Sequence, residues 1–286
     1  MKIPTDKFVE LSPGFFANTD FTDSLKANRL DSIDAVFAFD GGRDLAKANL
    51  ARFRSRREFT LDESGVKYFL KRYDGVPPLP QLKNWFSHRT RAATAYFDIA
   101  PSEELAAAGI QTATVAAYGA DWDGVFEKRS FVITKEIINA ESLEKKLPDF
   151  VSNPLSCADY RTRREFIARL ADFAKRFHNT GFRHRDFYLC HIFLAGDEQF
   201  YLIDLQRAFQ PMLLRWWYRV KDITQLYYSS PGQVFTRADR LRFYLRYSGK
   251  TKITLADKLF IRALKFKAWR MADHDINNGR DVPFAM

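Results

Sequence analysis

The sequence predicts an α+β fold in two unequal parts, a small β-rich N-terminal part and a larger helical C-terminal one. Three observations predict it. Up to about residue 140, runs of strand character such as "REFTLDESGVKYFLKRY" and "SFVITKEI" outnumber helical ones. Beyond it, apolar residues recur at helical spacing, most clearly Phe166, Leu170, Phe173, Ala174 and Phe177 in "DYRTRREFIARLADFAKRFHNTG". The polar residues capable of chemistry fall at loops and strand ends of these elements. The 286 residues suffice for one large domain or two intimate lobes, and 46% apolar with 28% charged residues is a globular composition. The expected division is an N-terminal arm over 1–30, a first lobe over 31–138 and a second over 139–286.

Taken in order, the first 30 residues read as irregular and polar. "DAVFAFDGGRD" places Gly41 and Gly42 after a short apolar run. Arg57–Leu61 and Val66–Tyr73 form a hairpin around a turn on Asp62–Gly65. "VPPLPQ" breaks the chain, residues 83–108 are helical with an interruption at Pro101, and "GIQTATVAAYG" returns to a strand. "SFVITKEI" is another strand and "ESLEKKL" a short helix. The long helix beginning at "DYRT" is closed by Gly181. "HIFLAG" and "FYLIDL" pair around Gly196-Asp197, and "LRWWYRVKDITQLYYSS", "TRADRLRFYLRYSG" and "ADKLFIRALKFKAWRM" are helices.

Charge is uneven. Between Arg237 and Arg270 there are eleven Lys or Arg against two Asp, so nearly all of the +10 formal charge lies in one C-terminal region. Such a region suits phosphate-rich partners, although solvated helix faces would read the same way. Cys157 and Cys190 form no CxxC pair, which argues against a disulfide scaffold or a zinc site. The start lacks the apolar run of a signal peptide, and no apolar stretch approaches a spanning length. The expectation is a cytoplasmic protein able to sit on a membrane surface.

The order of elements is that of a protein-kinase-like two-lobe fold, and phosphoryl transfer needs three kinds of group. A cation holds the nucleotide phosphates, carboxylates hold Mg²⁺, and a carboxylate orients the attacking hydroxyl. Lys71 in "YFLKRY" is the candidate cation, since Lys67 faces the hairpin turn. In "HRDFYLCH", Asp186 stands where it could aim or deprotonate a hydroxyl, a role worth roughly 10²–10⁴ in rate. Asp204 ends the otherwise apolar "YLID", where an acid is costly unless paired or bound to metal. Each has a plain alternative: a strand-end lysine, a loop-capping Asp, a salt bridge to Arg207 or Arg185. The joint spacing of Lys71, His184-Arg185-Asp186 and Asp204 favours the catalytic reading. In protein kinases the fifth residue after the catalytic Asp is an Asn that binds metal. Here it is His191, a poorer ligand for a hard cation, able to hold metal indirectly or to contact a phosphate.

At this point "HRDFYLCHIFL…YLIDLQRA" resembles the signature of the bacterial lipopolysaccharide core heptose kinases, the WaaP/InaA group of atypical kinases. That group carries His at the Asn position and Ile-Asp-Leu-x-Arg-Ala in place of Asp-Phe-Gly. "YFLKRYDG", "GIQTATVAAYG", "SFVITKEI" and "RVKDITQLYYSS" extend the likeness to roughly residues 35–250. The resemblance implies ATP- and Mg²⁺-dependent phosphorylation of an inner-core heptose hydroxyl at the cytoplasmic face of the inner membrane. It implies catalytic roles for Asp186, Arg185, Lys71 and Asp98, and nucleotide contacts at Gly41, Gly42, Lys135 and Ile137. Asp204 and His191 become the metal residues, while His184 and Asp222 brace the catalytic loop. Asp98 stands where kinases pair the strand lysine with a Glu, one methylene short and just before Pro101.

Eighteen residues separate Asp204 from Asp222, too few for a regulated activation loop with a peptide platform. A glycan acceptor fits better, and the basic C-terminal region suits an anionic lipid A–core glycolipid and the membrane carrying it. Trp216, Trp217 and Tyr218 read as core first and as sugar-stacking rings second. Three alternatives stand beside this reading. One keeps the chemistry with Kdo, another heptose or tyrosine as acceptor. Another is a weakly active or pseudokinase-like binding protein, favoured by Asp98 and the sparse glycines. The last, a nucleic-acid binder, finds no matching module, so no nucleic acid partner is expected.

Overall fold

The computed structural model describes residues 7–45, 52–147, 157–232, 234–280 and 282. The chain divides into two compact units. The first comprises Met1–Ala107, Thr112–Ile138 and Asp204–Arg207, the second Ala108–Gln111, Asn139–Ile203 and Ala208–Met286.

The first unit contains β1 (Phe8–Ser12), β2 (Phe15–Asn18), α1 (Thr22–Ala27), α2 (Ile33–Ala38), β3 (Arg43–Asp44), β4 (Arg54–Thr60) and β5 (Lys67–Asp74). It continues with α3 (Pro78–His88) and α4 (Tyr96–Ala107). After β6 (Gln111–Thr112), at the crossing between units, come β7 (Val115–Asp123) and β8 (Phe126–Lys135). Its antiparallel sheet has the order β1-β2-β7-β8-β5-β4-β3. Alternation along β5 decides what faces what. Tyr68 and Leu70 join Phe15, Phe59 and Phe131 in one core, while Tyr73 joins Val132 and Ile99 in another on the opposite face. Lys71, two residues before Tyr73, therefore shares the face that meets α4.

Three expectations are corrected here. Residues 7–30 are not irregular: β1, β2 and α1 form there, and Phe15, Ala17, Phe21, Leu25 and Leu30 are buried together in one core while Phe8 is buried in the other. "VPPLPQ" does not break the chain but starts α3, whose opening prolines occupy positions where no intrahelical N–H is needed. The interruption expected at Pro101 lies instead at residues 89–95, introduced by Arg89 at φ 52°. Helix α4 runs through Pro101, whose ring is buried, with Phe97, Ile99, Ala100 and Leu105 buried around it. Packing outweighs the one hydrogen bond that proline removes.

The second unit contains β9 (Ala140–Ser142), α5 (Leu143–Lys146), α6 (Cys157–Asn179), β10 (Ile192–Ala195), β11 (Phe200–Leu202), α7 (Arg215–Ser229), α8 (Arg237–Ser248) and α9 (Leu255–Asn277). Strand β10 pairs antiparallel with both β9 and β11. Phe166, Leu170, Phe173, Ala174 and Phe177 of α6 are all buried, as their spacing predicts. Helices α8 and α9 open with reciprocal Thr–Asp capping boxes, Thr236 with Asp239 and Thr254 with Asp257. Cys190 is half-buried, and the Cys157 side chain lies outside the described residues. Among the described residues no helix is long and apolar enough to cross a membrane.

Candidate active site

In the first unit, Lys71 stands opposite Arg56 of β4 and Val132 of β8. Its Nζ donates to Asp98 Oδ1 at 2.9 Å and to Asp204 Oδ1 at 3.0 Å. The second Asp98 oxygen accepts from Tyr73 Oη at 2.7 Å, so both carboxylate oxygens are engaged. Arg56 lies 3.6 Å from Asp204 Oδ2. The shorter acid thus reaches the lysine: Asp98 sits in the first turn of α4, before Pro101 intervenes. Burial alone would depress the Lys71 ammonium, but the two carboxylates more than offset it and hold the pKa above the ordinary lysine value. Burial beside Asp98 raises the Tyr73 phenol well above its usual range, so it remains a donor. Asp204 takes φ 58° at the end of the strand-like "YLI", which swings its carboxylate out of strand alternation. The turn that follows it, Leu205–Arg207, packs against α4, and Gln206 accepts from Arg54 at 2.8 Å.

In the second unit, one face of α7 holds the loop that carries Asp186. Asp222 accepts from the His184 amide and the Arg185 amide, both at 2.8 Å. One turn on, Gln225 accepts from the Phe187 amide at 3.0 Å and donates to the Arg185 carbonyl at 2.7 Å. A further turn on, Ser229 accepts from the Leu189 amide at 3.0 Å. These contacts hold Arg185 at φ 70°, a conformation a non-glycine residue adopts only when its surroundings dictate it. The imidazole of His184 is fully buried and its Nε2 donates to the Ile203 carbonyl at 3.0 Å. Burial keeps it neutral by pushing its pKa down. His191 Nδ1 donates to the Asp186 carbonyl at 2.7 Å, which orients the ring.

Whether these residues suit Mg²⁺ depends on donor chemistry. Among the described residues no group of three or more His, Cys, Asp or Glu could hold a metal. A protein cage is therefore not what they build. Mg²⁺ usually binds through one or two carboxylates, with phosphate oxygens and water completing its shell. Asp204, 27% exposed at its side chain, is a donor of that kind, and the set fits on those terms.

The glycine pair has a different reason for being glycine. A Cβ on Gly42, at φ 74°, would lie 2.2 Å from the Glu58 carbonyl oxygen. Close approach to β4 accounts for that residue, and the Gly41 carbonyl accepts from Arg57 Nε at 2.9 Å. Lys135 ends β8 with its amide on Thr114 and its ammonium 5.8 Å from the Phe21 ring, and half-buried Ile137 follows. Trp216 and Trp217 are not core residues: they are 53% and 45% exposed. Tyr218 packs edge-on against Phe209.

Sequence reasoning missed Tyr73, Arg56, Gln225 and Ser229. Tyr73 was open to inference from its place two residues after Lys71. So were Gln225 and Ser229, three and seven residues after Asp222 on one helix face.

The family profile described as "Lipopolysaccharide kinase (Kdo/WaaP) family" matches residues 51–247. A curated protein named "Lipopolysaccharide core heptose(I) kinase WaaP" from Escherichia coli K12 is 30% identical over 253 residues, covering 84% of this chain and 94% of its own. Its namesake from Pseudomonas aeruginosa is 29% identical over 229 residues, with 77% and 81% covered. A solved structure described as "WaaP in complex with acyl carrier protein" superposes with a TM-score of 0.66 at 24% identity. It covers 90% of this chain and 98% of its own, and shows a shared fold.

Proposed function

Because the chain belongs to the lipopolysaccharide kinase (Kdo/WaaP) family, and is thus a kinase that uses ATP, we propose that it phosphorylates a heptose hydroxyl of the lipopolysaccharide inner core. The observation that carries the phosphoryl-transfer part is Lys71 held between Asp98 and Asp204. The acceptor rests on the relatives named as heptose(I) kinases and on the short span from Asp204 to Asp222.

ATP with Mg²⁺ supplies the γ-phosphoryl group and the charge neutralisation that lets it depart. Lys71, aimed by Asp98 and Tyr73, holds the α- and β-phosphates. Asp204, now paired with Lys71 and Arg56, would be the carboxylate that holds the metal. Asp186 aligns the acceptor hydroxyl and takes its proton as the O–P bond forms. Its backbone is fixed from both sides: Arg185 and His184 through Asp222, and its own carbonyl through His191. His191 thereby supports the loop by donation, a role that does not require it to bind a hard cation well. The acceptor is a lipid A–core glycolipid, met at the cytoplasmic face of the inner membrane, with the basic C-terminal region against the anionic surface.

Transfer of labelled γ-phosphate from ATP–Mg²⁺ to dephosphorylated core, by wild type and Asp186→Ala, tests this. A loss of about 10²–10⁴ in the variant is expected. Nucleotide binding without transfer to heptose, with transfer to Kdo or to tyrosine instead, would replace the acceptor. Binding with no transfer at all would leave a binding protein.

A further inference from the structure

Six consecutive residues of the second unit, Met212 to Trp217, are exposed, and five of them are large and apolar. Met212, Leu213 and Leu214 are 60%, 78% and 69% exposed. Isolated exposed leucines are ordinary, but a contiguous run joined to two half-exposed tryptophans is a patch. The run is held out by its neighbours. Pro211 before it is buried, and Phe209 exchanges backbone hydrogen bonds of 2.9 and 3.0 Å with Arg183. Leu214 adopts φ 56° to open α7, and no burial of its side chain accompanies that conformation.

Cations surround the patch. Arg215 lies within it, and Lys267 Nζ stands 4.9 Å from the Trp217 ring. Trp216 meets Phe260 of α9 edge-on at 6.1 Å. On its outward faces α9 exposes Leu259 and Phe266, each 61%, among exposed Lys258, Arg262 and Lys265. The one acid on that half of α9, Asp257, is buried against Lys250 and Tyr244.

We propose that this face docks on an anionic lipid bilayer. Met212 and Leu213 enter the acyl region, Trp216 and Trp217 lie at headgroup level, and Arg215 and Lys267 meet lipid phosphates. The chemistry matches the layering of a membrane: aliphatic tip, indole belt, then cations. A protein interface centre is depleted of charge, and a second copy would bring +10 against +10. The Phe209–Arg183 bridge ties this tip to the strand that enters His184–Asp186, so docking presents the catalytic loop to a lipid-borne acceptor. The proposal deepens the membrane-surface part of the proposed function and rests on it, but its test involves no phosphoryl transfer.

The full chain is sedimented with phosphatidylglycerol–phosphatidylcholine vesicles and with pure phosphatidylcholine vesicles while tryptophan emission is followed. Wild type is expected to bind the anionic vesicles with a blue shift. Met212→Asp/Leu213→Asp should lose at least about tenfold in partitioning, and Arg215→Glu/Lys267→Glu should lose binding mainly at low salt. The Met212/Leu213 variant should keep its melting temperature and its activity on deacylated, water-soluble core. No binding by wild type, or equal binding by that variant, overturns the proposal. So does a vesicle-free dimer that the variant dissolves, which would assign the patch to a second copy. Failure of wild type on soluble core would instead overturn the kinase reading and leave the lipid result standing.

Discussion

Asp98 receives two donors, Lys71 at 2.9 Å and Tyr73 at 2.7 Å, and the second explains how a short acid can hold the lysine in a fixed place. With both oxygens engaged, the carboxylate has no second orientation to adopt. Removing the phenol should therefore loosen the lysine without removing its charge partner. Tyr73→Phe is expected to weaken ATP binding by about 1 kcal/mol, roughly fivefold in affinity, with a smaller effect on turnover. A nucleotide-binding isotherm checks this, and unchanged affinity would remove Tyr73 from the site. Two buried histidines make a second residue-scale prediction. Burial lowers the pKa of both His178 and His184, while the unfolded chain returns them to about 6.5. Because the unfolded state then binds more protons, their contribution is present above pH 6.5 and lost as pH falls below it. Melting temperature should be flat at mildly alkaline pH and decline in acid, and His178→Gln should reduce that slope. At this scale Lys71 and Asp204 stood out as candidates because each is a charge inside an apolar run, and Asp186 because it ends the His184-Arg185-Asp186 motif. Tyr73 was open to a spacing argument from Lys71 and was missed, whereas Arg56 was not legible, because nothing in the one-dimensional string says which strand pairs beside Lys71.

Helix α7 is the element on which the loop carrying Asp186 depends. Asp222, Gln225 and Ser229 occupy one face and accept four of the amides between His184 and Leu189. A loop of that length with its donors so distributed cannot rearrange one residue at a time. Gln225→Ala leaves the Phe187 amide and the Arg185 carbonyl without their partner, a loss of about 1–3 kcal/mol. Amide exchange at Phe187 should accelerate in the variant, and turnover should fall while ATP affinity, which involves the first unit, stays level. Equal exchange rates in variant and wild type would refute the ladder. Strands and helices were mostly readable from period alone. The failures were specific: prolines at a helix start look like a break, and a buried proline inside α4 looks like an interruption until the packing around it is known.

For the whole molecule, the order of a strand-rich part followed by a helical part was legible in the sequence, and the charge asymmetry was countable. What could not be read is that Ile203 and Asp204, consecutive in the chain, belong to different units. Asp204 takes a left-handed φ at that boundary, and no periodicity reports it. The charge distribution leads to the last prediction. Eleven Lys or Arg against two Asp between Arg237 and Arg270 create a positive field in the second unit. Exposed charges act over about 10 Å at 0.1 M salt and over about 3 Å at 1 M. An anionic core acceptor should thus be captured less well as salt rises, through its KM rather than through kcat, because the field attracts the acceptor and takes no part in the transfer. With deacylated core, which removes any lipid contribution, KM is expected to rise roughly tenfold across that range. Neutral sugar analogues should show no such rise. If the analogue and the anionic core respond alike, the basic region is a solvated surface and the acceptor is held by contacts of another kind.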